Sequence, residues 1–286
     1  MTFSGHIHRT LRRAASKADR FAPATISMPL LAWSERQCEE PEARLLPVLT
    51  SRKNVAVDVG AANGGYSYYL AGLARECHAF EPNPQSVALL RRRLPNVHVY
   101  NVALSNRSGT AILRVPTVNG LALRGWGSIE VANRFETLPR HDVDTFEVET
   151  APLDSFGFRE VGIIKIDVEG HELNVLQGAL GVIERDRPFI LVEAEDRHRA
   201  GALVSVCDLL GPFGYSAWYL RDKRVHPVDW HNTDETAHVR QSHGDQKTRN
   251  FLLLCRERLQ PDSVLANLLS QSSTCGGELN APGRQR

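Results

Sequence analysis

The chain has 286 residues, and its 34 Lys and Arg against 33 Asp and Glu leave a formal net charge of +1. That balance disfavours a general nucleic-acid binder, and a hydrophobic content of 42% excludes disorder of the whole chain. No run of 18 apolar residues occurs, so no membrane-spanning helix is expected.

Residues 1–53 read as an N-terminal cap with a basic arm, in which Arg9, Arg12, Arg13, Lys17 and Arg20 face one acid, Asp19. The arm lacks the apolar core of a secretory signal. Pro23, Pro29, Pro41 and Pro47 predict an irregular lead-in with one helix. From residue 54 to 258 the pattern predicts one α/β domain. Val55 to Val59 is a buried strand, Tyr66 to Ala74 a helix, Cys77 to Glu81 a strand, Pro84 to Arg93 a helix and Val97 to Tyr100 a strand. Strand and helix alternate, the signature of a Rossmann-like, mostly parallel central sheet with helices on both faces. Thr110 to Val115 and Phe146 to Thr150 predict strands around a loop rich in Gly, Arg and Trp. Ile163 to Asp167 predicts another strand, and Leu173, Leu176, Leu180 and Ile183 fall at the spacing of one helix. Strands at Phe189–Glu193, Tyr215–Leu220 and Phe251–Cys255 and a helix at Ala202–Leu210 complete the domain, with a polar, His-rich loop at 221–249. The polar tail 259–286 predicts disorder. Cys38, Cys77, Cys207, Cys255 and Cys275 are widely spaced and include no Cys-x-x-Cys, which argues against a disulfide framework or a thiolate zinc site. Cys77, Cys207 and Cys255 sit in apolar runs and read as buried thiols, so a reducing, cytoplasmic setting is expected.

The first strand and its turn read Val57-Asp58-Val59-Gly60-Ala61-Ala62-Asn63-Gly64-Gly65-Tyr66-Ser67. Small residues there let a ligand approach the backbone. A Walker loop needs Gly-Lys-Ser/Thr, whereas this chain has Gly65-Tyr66. A dinucleotide turn needs Gly-x-Gly-x-x-Gly, and Ala62 breaks that match. The remaining fit is the first motif of S-adenosylmethionine (SAM) methyltransferases. Glu81 closes the second strand 21 residues after Gly60, where an acid accepts hydrogen bonds from both ribose hydroxyls. Asp58 is placed to orient the cationic amino-acid end of SAM.

On these residues the chain resembles the FkbM family of class I methyltransferases. The resemblance rests on Asp58 to Ser67, Phe80-Glu-Pro-Asn-Pro84, Asn101-Val-Ala-Leu-Ser105 with Gly109, Leu153-Asp-Ser155, Ile164-Lys-Ile-Asp-Val-Glu-Gly-His-Glu172, and Pro188 to Glu193. It departs from the family at Ala62, which stands where the usual motif has Asn, with Asn63 following. The family implies methyl transfer from SAM, commonly to oxygen, on natural products or on sugars of glycans and glycolipids. It also implies that Gly60, Ala61, Gly64 and Tyr66 line the methionine side, Glu81 the ribose, and Asn83 and Val102 the adenosine edge, with Asn63 a further cofactor-binding candidate.

A hydroxyl acceptor needs a base or a metal to take its proton. Asp167 ends a strand at the carboxyl edge, where open α/β sheets bind ligands, and Glu169, His171 and Glu193 fall nearby. Asp167, His171 and Glu169 are the catalytic candidates, and Asp167 with Glu193 is a candidate oxygen set for Mg²⁺. Lys165 is expected to pair with an acid or to snorkel. Arg124, Trp126 and Arg134, and Trp230, His226, His231, His238 and His243, are candidates to face a small-molecule or glycan acceptor. A homo-oligomer is compatible with the sequence. The competing readings are an NAD(P)-type Rossmann oxidoreductase and a non-catalytic SAM-binding protein.

Overall fold

The structure, a computed structural model, describes residues 28, 29, 32, 41–131, 133, 135, 138, 141–221, 224–232, 249–258, 265, 267 and 268. The basic arm, Arg134, His238, His243, Cys38, Cys275 and most of the tail lie outside the described residues. The lead-in is a 3-10 turn, Pro41–Leu45, running directly into the short helix α1, Leu46–Leu49.

The first half of the domain follows the expected order: β1 Val55–Val59, α2 Gly65–Leu73, β2 Glu76–Phe80, α3 Pro84–Arg93 and β3 His98–Tyr100. The second half holds β8 Val161–Ile166, α4 Glu172–Gln177, α5 Leu180–Asp186, β9 Phe189–Glu193, α6 Ala202–Leu210, β10 Tyr215–Arg221, β11 Arg224–Val228 and β12 Asn250–Cys255. These strands form one eight-stranded sheet in the order β11-β10-β12-β9-β8-β1-β2-β3. Pairing from β3 through β9 is parallel; β12 runs against both β9 and β10, and β11 runs against β10. Strands β1, β8, β9 and β12 are buried along their whole length, as covering on both faces requires. On one face Val57, Val59, Ile164 and Ile166 pack with Leu176 of α4, Ile183 of α5 and Val206 of α6. On the other, Ala56, Ile163 and Leu191 pack with Leu46 of α1, Leu70 of α2 and Leu90 of α3. Cys77, Cys207 and Cys255 are free, buried thiols within these layers.

Three departures from the sequence reading have physical causes. The single helix expected across Leu173 to Ile183 is two. A Cβ at Gly178 would lie 2.0 Å from the Ser105 carbonyl oxygen, so the chain turns there against the neighbouring loop. Asp154 then accepts from the backbone N–H groups of Gly181 and Val182, both at 2.8 Å, and caps the second helix from outside its own sequence. Part of the polar stretch 221–249 is β11, an edge strand in which Val225 and Val228 are buried and Arg224 and Pro227 exposed.

The third departure is a second sheet of four strands, in the order β4-β7-β5-β6. Its members are β4 Ala103–Leu104, β5 Gly109–Val118, β6 Leu121–Ala122 and β7 Asp142–Ala151. β5 and β7 pair antiparallel from Gly109↔Thr150 to Thr117↔Asp142. Ala103, Leu113, Val115 and Val148 make its own small core. A 3-10 turn, Arg124–Trp126, follows β6. This sheet is inserted between β3 and β8 and reaches over the carboxyl edge of the large sheet.

Candidate active site

The chain leaves β1 toward β2 on one side, whereas β8 and β9 build outward on the other. A crevice opens at the carboxyl ends of adjacent parallel strands where the winding direction changes. Two connected cavities occupy it. The larger measures about 610 Å³ and the narrower about 40 Å³, and they share Gly60, Ala62, Arg124, Gly125 and Asp167 as walls.

The turn after β1 is built for close backbone approach. Gly60 has φ +77°, and a Cβ there would lie 1.8 Å from the Asp167 carbonyl oxygen. The Asp167 N–H donates to the Val59 carbonyl at 3.0 Å, so the ends of β1 and β8 touch through their main chains. Ala62 has φ +46°, a left-handed position held by its N–H donating to Glu81 Oε2 at 2.8 Å. Gly64, at φ +89°, caps α2; a Cβ there would press within 3 Å of Leu90 and Leu94.

Two buried acids face the cofactor side. Asp58 is 1% exposed and accepts from Ser67 Oγ at 2.5 Å through Oδ2. Its Oδ1 is buried without a hydrogen-bond partner, and the residue lines the larger cavity. Burial pushes its pKa up, against the opposing pull of Lys165 and Ser67. Glu81 is 4% exposed and lines the narrower cavity. Its Oε1 accepts from the Asn83 N–H at 2.8 Å, complementing the Ala62 bond to Oε2. Burial pushes the Glu81 carboxyl up to about 7 despite these bonds.

Ala61, Asn63 and Tyr66 line the larger cavity with Asp58, while Val102 lines the narrower one with Glu81. Asn83 lines neither. Its Oδ1 accepts from the Gln85 N–H at 2.9 Å and caps α3, with Pro84 at the first helical position. Asn101, which carried the resemblance without an assigned role, donates to the carbonyls of Glu81 and Pro82 and fixes the end of β2.

On the β8–β9 side the acids that line the larger cavity each have a basic side chain beside them. Asp58 and Lys165 are register partners on β1 and β8. Lys165, 3% exposed, donates from Nζ to Asp167 Oδ2 at 3.0 Å and lies 4.8 Å from the centre of the Tyr66 ring. The expected pairing of Lys165 with an acid is therefore present. Glu169 Oε2 pairs with His198 Nε2 at 2.7 Å and Arg197 at 3.9 Å. Burial raises the Glu169 pKa, against the pull of His198. Glu169 also adopts φ +54°, held by Ser128 Oγ and Asn133 Nδ2 donating to its carbonyl. Glu193 lies 3.8 Å from Arg249. Neighbouring Glu195 takes both arms of the Arg197 guanidinium at 2.6 and 2.7 Å. Burial pushes Glu195 up, but the Arg197 fork, a bond with Glu193 and the Arg249 charge outweigh it and hold its pKa below the usual range.

His171 lines the narrower cavity rather than the larger one. Its Nε2 meets Ser105 Oγ at 2.9 Å and its Nδ1 meets Glu130 at 3.4 Å. Burial lowers its pKa, against the pull of Glu130.

Asp167 and Glu193 already sit against Lys165 and Arg249, and no group of three metal-ligating side chains occurs among the described residues. The acceptor expectation divides. Arg124 and Trp126 line the larger cavity. His226 instead stacks on Tyr219 of β10, and Trp230 and His231 pack on each other; none of the three lines either cavity. From the 221–249 stretch only Arg249 reaches the crevice among the described residues. Arg197, His198 and Arg249 escaped the sequence reading, because isolated basic residues carry no spacing signal.

No curated protein matches the chain. Among solved structures, methyltransferase FkbM from Methylobacillus flagellatus KT is 16% identical, with a TM-score of 0.46, over 86% of this chain. The match spans 57% of that protein's length. An O-methyltransferase from Bacillus cereus, solved with SAH, is 11% identical over 86% of this chain and 98% of its own, with a TM-score of 0.43. A SAM-dependent O-methyltransferase from Thermotoga maritima is 9% identical over 80% of this chain and 73% of its own, with a TM-score of 0.39. The Methyltransferase FkbM domain matches residues 58–241, from the buried acid of β1 past the β10–β11 hairpin. That match leaves the dinucleotide oxidoreductase reading without support, and the chain belongs to the FkbM family of SAM-dependent methyltransferases.

Proposed function

We propose that the chain transfers the methyl group of SAM to a hydroxyl oxygen of a glycan, glycolipid or secondary metabolite. One observation carries this reading. A single crevice runs from two buried acids with no cation bonded to them among the described residues, Asp58 and Glu81, to Asp167, one of the five residues its two cavities share.

SAM supplies an activated methyl group on a sulfonium that leaves readily. Asp58 Oδ1, buried and without a partner, suits an ammonium, and Glu81 suits ribose hydroxyls. Gly60, Ala61, Asn63 and Tyr66 shape the methionine side and Val102 the adenosine side, while Gly64 lines neither cavity and serves the turn into α2. The work left to the protein is alignment, exclusion of water and removal of the hydroxyl proton. Asp167 is the favoured base: Lys165 engages Oδ2, and no hydrogen bond to Oδ1 occurs among the described residues. Glu169 and His171 are tied to His198 and to Ser105 with Glu130, which suits positioning of the loop better than proton transfer.

Incubation with methyl-labelled SAM and a panel of glycans, sugar nucleotides and phenols should give base-stable O-methyl product. Label found only on amines or protein side chains rejects the oxygen acceptor. SAM binding without transfer to any member favours the non-catalytic reading.

A further inference from the structure

Two buried polar atoms without hydrogen-bond partners belong to oppositely charged residues that line the same cavity. One is Asp58 Oδ1 on its floor; the other is Arg124 Nε in the 3-10 turn after β6. Leaving a charged group's donor buried and unmade is costly, so such an atom in a cavity wall points to a ligand. The other cations of that cavity are engaged: Lys165 with Asp167, Arg197 with Glu195, and Arg249 with Glu193 and Glu195. Arg124 has no ion pair or hydrogen bond among the described residues.

The turn that carries Arg124 is a built element. The Leu123 N–H donates to the Pro116 carbonyl at 2.8 Å, and the Trp126 N–H to the Leu123 carbonyl at 2.9 Å. The Arg197 guanidinium lies 5.0 Å from the centre of the Trp126 ring. A Cβ on Gly125 would lie 4.0 Å from the Ala62 Cβ, so the turn sits directly over the loop after β1. Arg124 therefore faces the cofactor loop from above while Asp58 faces the same space from below.

We infer that Arg124 binds the carboxylate of the SAM amino-acid end, opposite Asp58 at the ammonium, so that the inserted small sheet completes the cofactor site. This rests on the SAM-dependent reading above. A zwitterionic α-amino acid is the ligand group that satisfies both atoms together. Each charge meets its complement in a space of low dielectric, where a charge-assisted bond is strong.

The test is calorimetric and needs no acceptor. Wild-type chain is titrated with SAM and with decarboxylated SAM, which keeps the ammonium and sulfonium. Wild type should prefer SAM by about 10- to 100-fold, the worth of one charged hydrogen bond. Arg124→Ala and Arg124→Gln should bind both ligands within about threefold of each other, as additive bonds removed from one site predict. Circular dichroism of each variant checks the fold. Variants that keep the wild-type preference overturn the inference. Failure of wild type to bind either ligand overturns the cofactor reading itself, a result distinct from loss of preference in the variants.

Discussion

The two sides of the crevice treat their acids in opposite ways. On the β1–β2 side, Asp58 and Glu81 are buried with only neutral donors bonded to them, Ser67 for one and two backbone N–H groups for the other. On the β8–β9 side, Asp167, Glu169, Glu193 and Glu195 each lie within an ion pair. A buried carboxylate without a cation is held at a cost that a ligand can relieve. A carboxylate beside a cation is already neutralised and fixed in place, which suits a group that must stay ionised and aimed. The first side is built to receive charge and hydroxyls, and the second to hold a reactive geometry.

Breaking a pair on the second side should have the largest effect. Asp167→Asn keeps the size of the side chain and removes its charge. Turnover should fall by on the order of 10²–10⁴, the usual worth of general-base help, with SAM affinity within a few fold. Steady-state kinetics beside calorimetry separates the two, and near-normal turnover would make Asp167 structural.

Emptying the first side comes next. Glu81→Ala should weaken SAM binding by about 1–3 kcal/mol through loss of a charged acceptor. The same residue predicts a pH effect. Ribose hydroxyls donate to the ionised carboxylate, and Glu81 holds its proton up to about 7 in the free protein. SAM affinity should therefore rise between pH 5.5 and 7.5, by up to about tenfold per unit below the pKa. Glu81→Gln should flatten that profile.

The smallest effect concerns an acid that lines neither cavity. Glu172 accepts from the Gly170 N–H at 2.8 Å, and burial pushes its carboxyl up to about 7 from an ordinary 4.5. The unfolded chain ionises this group near 4.5, whereas the native chain keeps the proton until about 7. Its favourable contribution is thus present below 4.5 and is lost as pH rises through 7. Glu172→Gln should stabilise the protein at pH 8 by about 1–3 kcal/mol and leave pH 4 nearly unchanged. Thermal unfolding at both values checks this. Equal effects at the two would show that the group is not buried as a titrating acid.

The core was legible because its strands are short apolar runs and its helices carry apolar residues at helical spacing. Asn83-Pro84 announces α3, and the unbroken Val-Ala-Val-Asp-Val run announces β1. Asp58, Glu81 and Asp167 stood out as acids at strand ends. The small sheet was half legible: β5 and β7 have strand composition, but β4 is two residues whose pairing with Thr150 and Ala151 closes a loop of more than forty residues. No local pattern encodes that partnership. The break at Gly178 was hidden for the same reason, since apolar spacing continues through it and the obstruction is Ser105. The cations of the rim became functional neighbours only when the antiparallel β12 brought Arg249 back beside β9.

The contact of Gly60 with the Asp167 carbonyl fixes a length. No side chain intervenes between the loop that would hold the methyl donor and the strand end that carries the favoured base. The separation of the loop from the strand end is then set by main-chain contact, while the Lys165 bond aims the Asp167 carboxylate. Among its described residues the roof between 103 and 151 meets the crevice through turns and side chains, as at Arg124, Gly125 and Trp126. A designer seeking a new acceptor should redraw that roof and leave the two strand ends alone, because reach is adjustable above and invariant below.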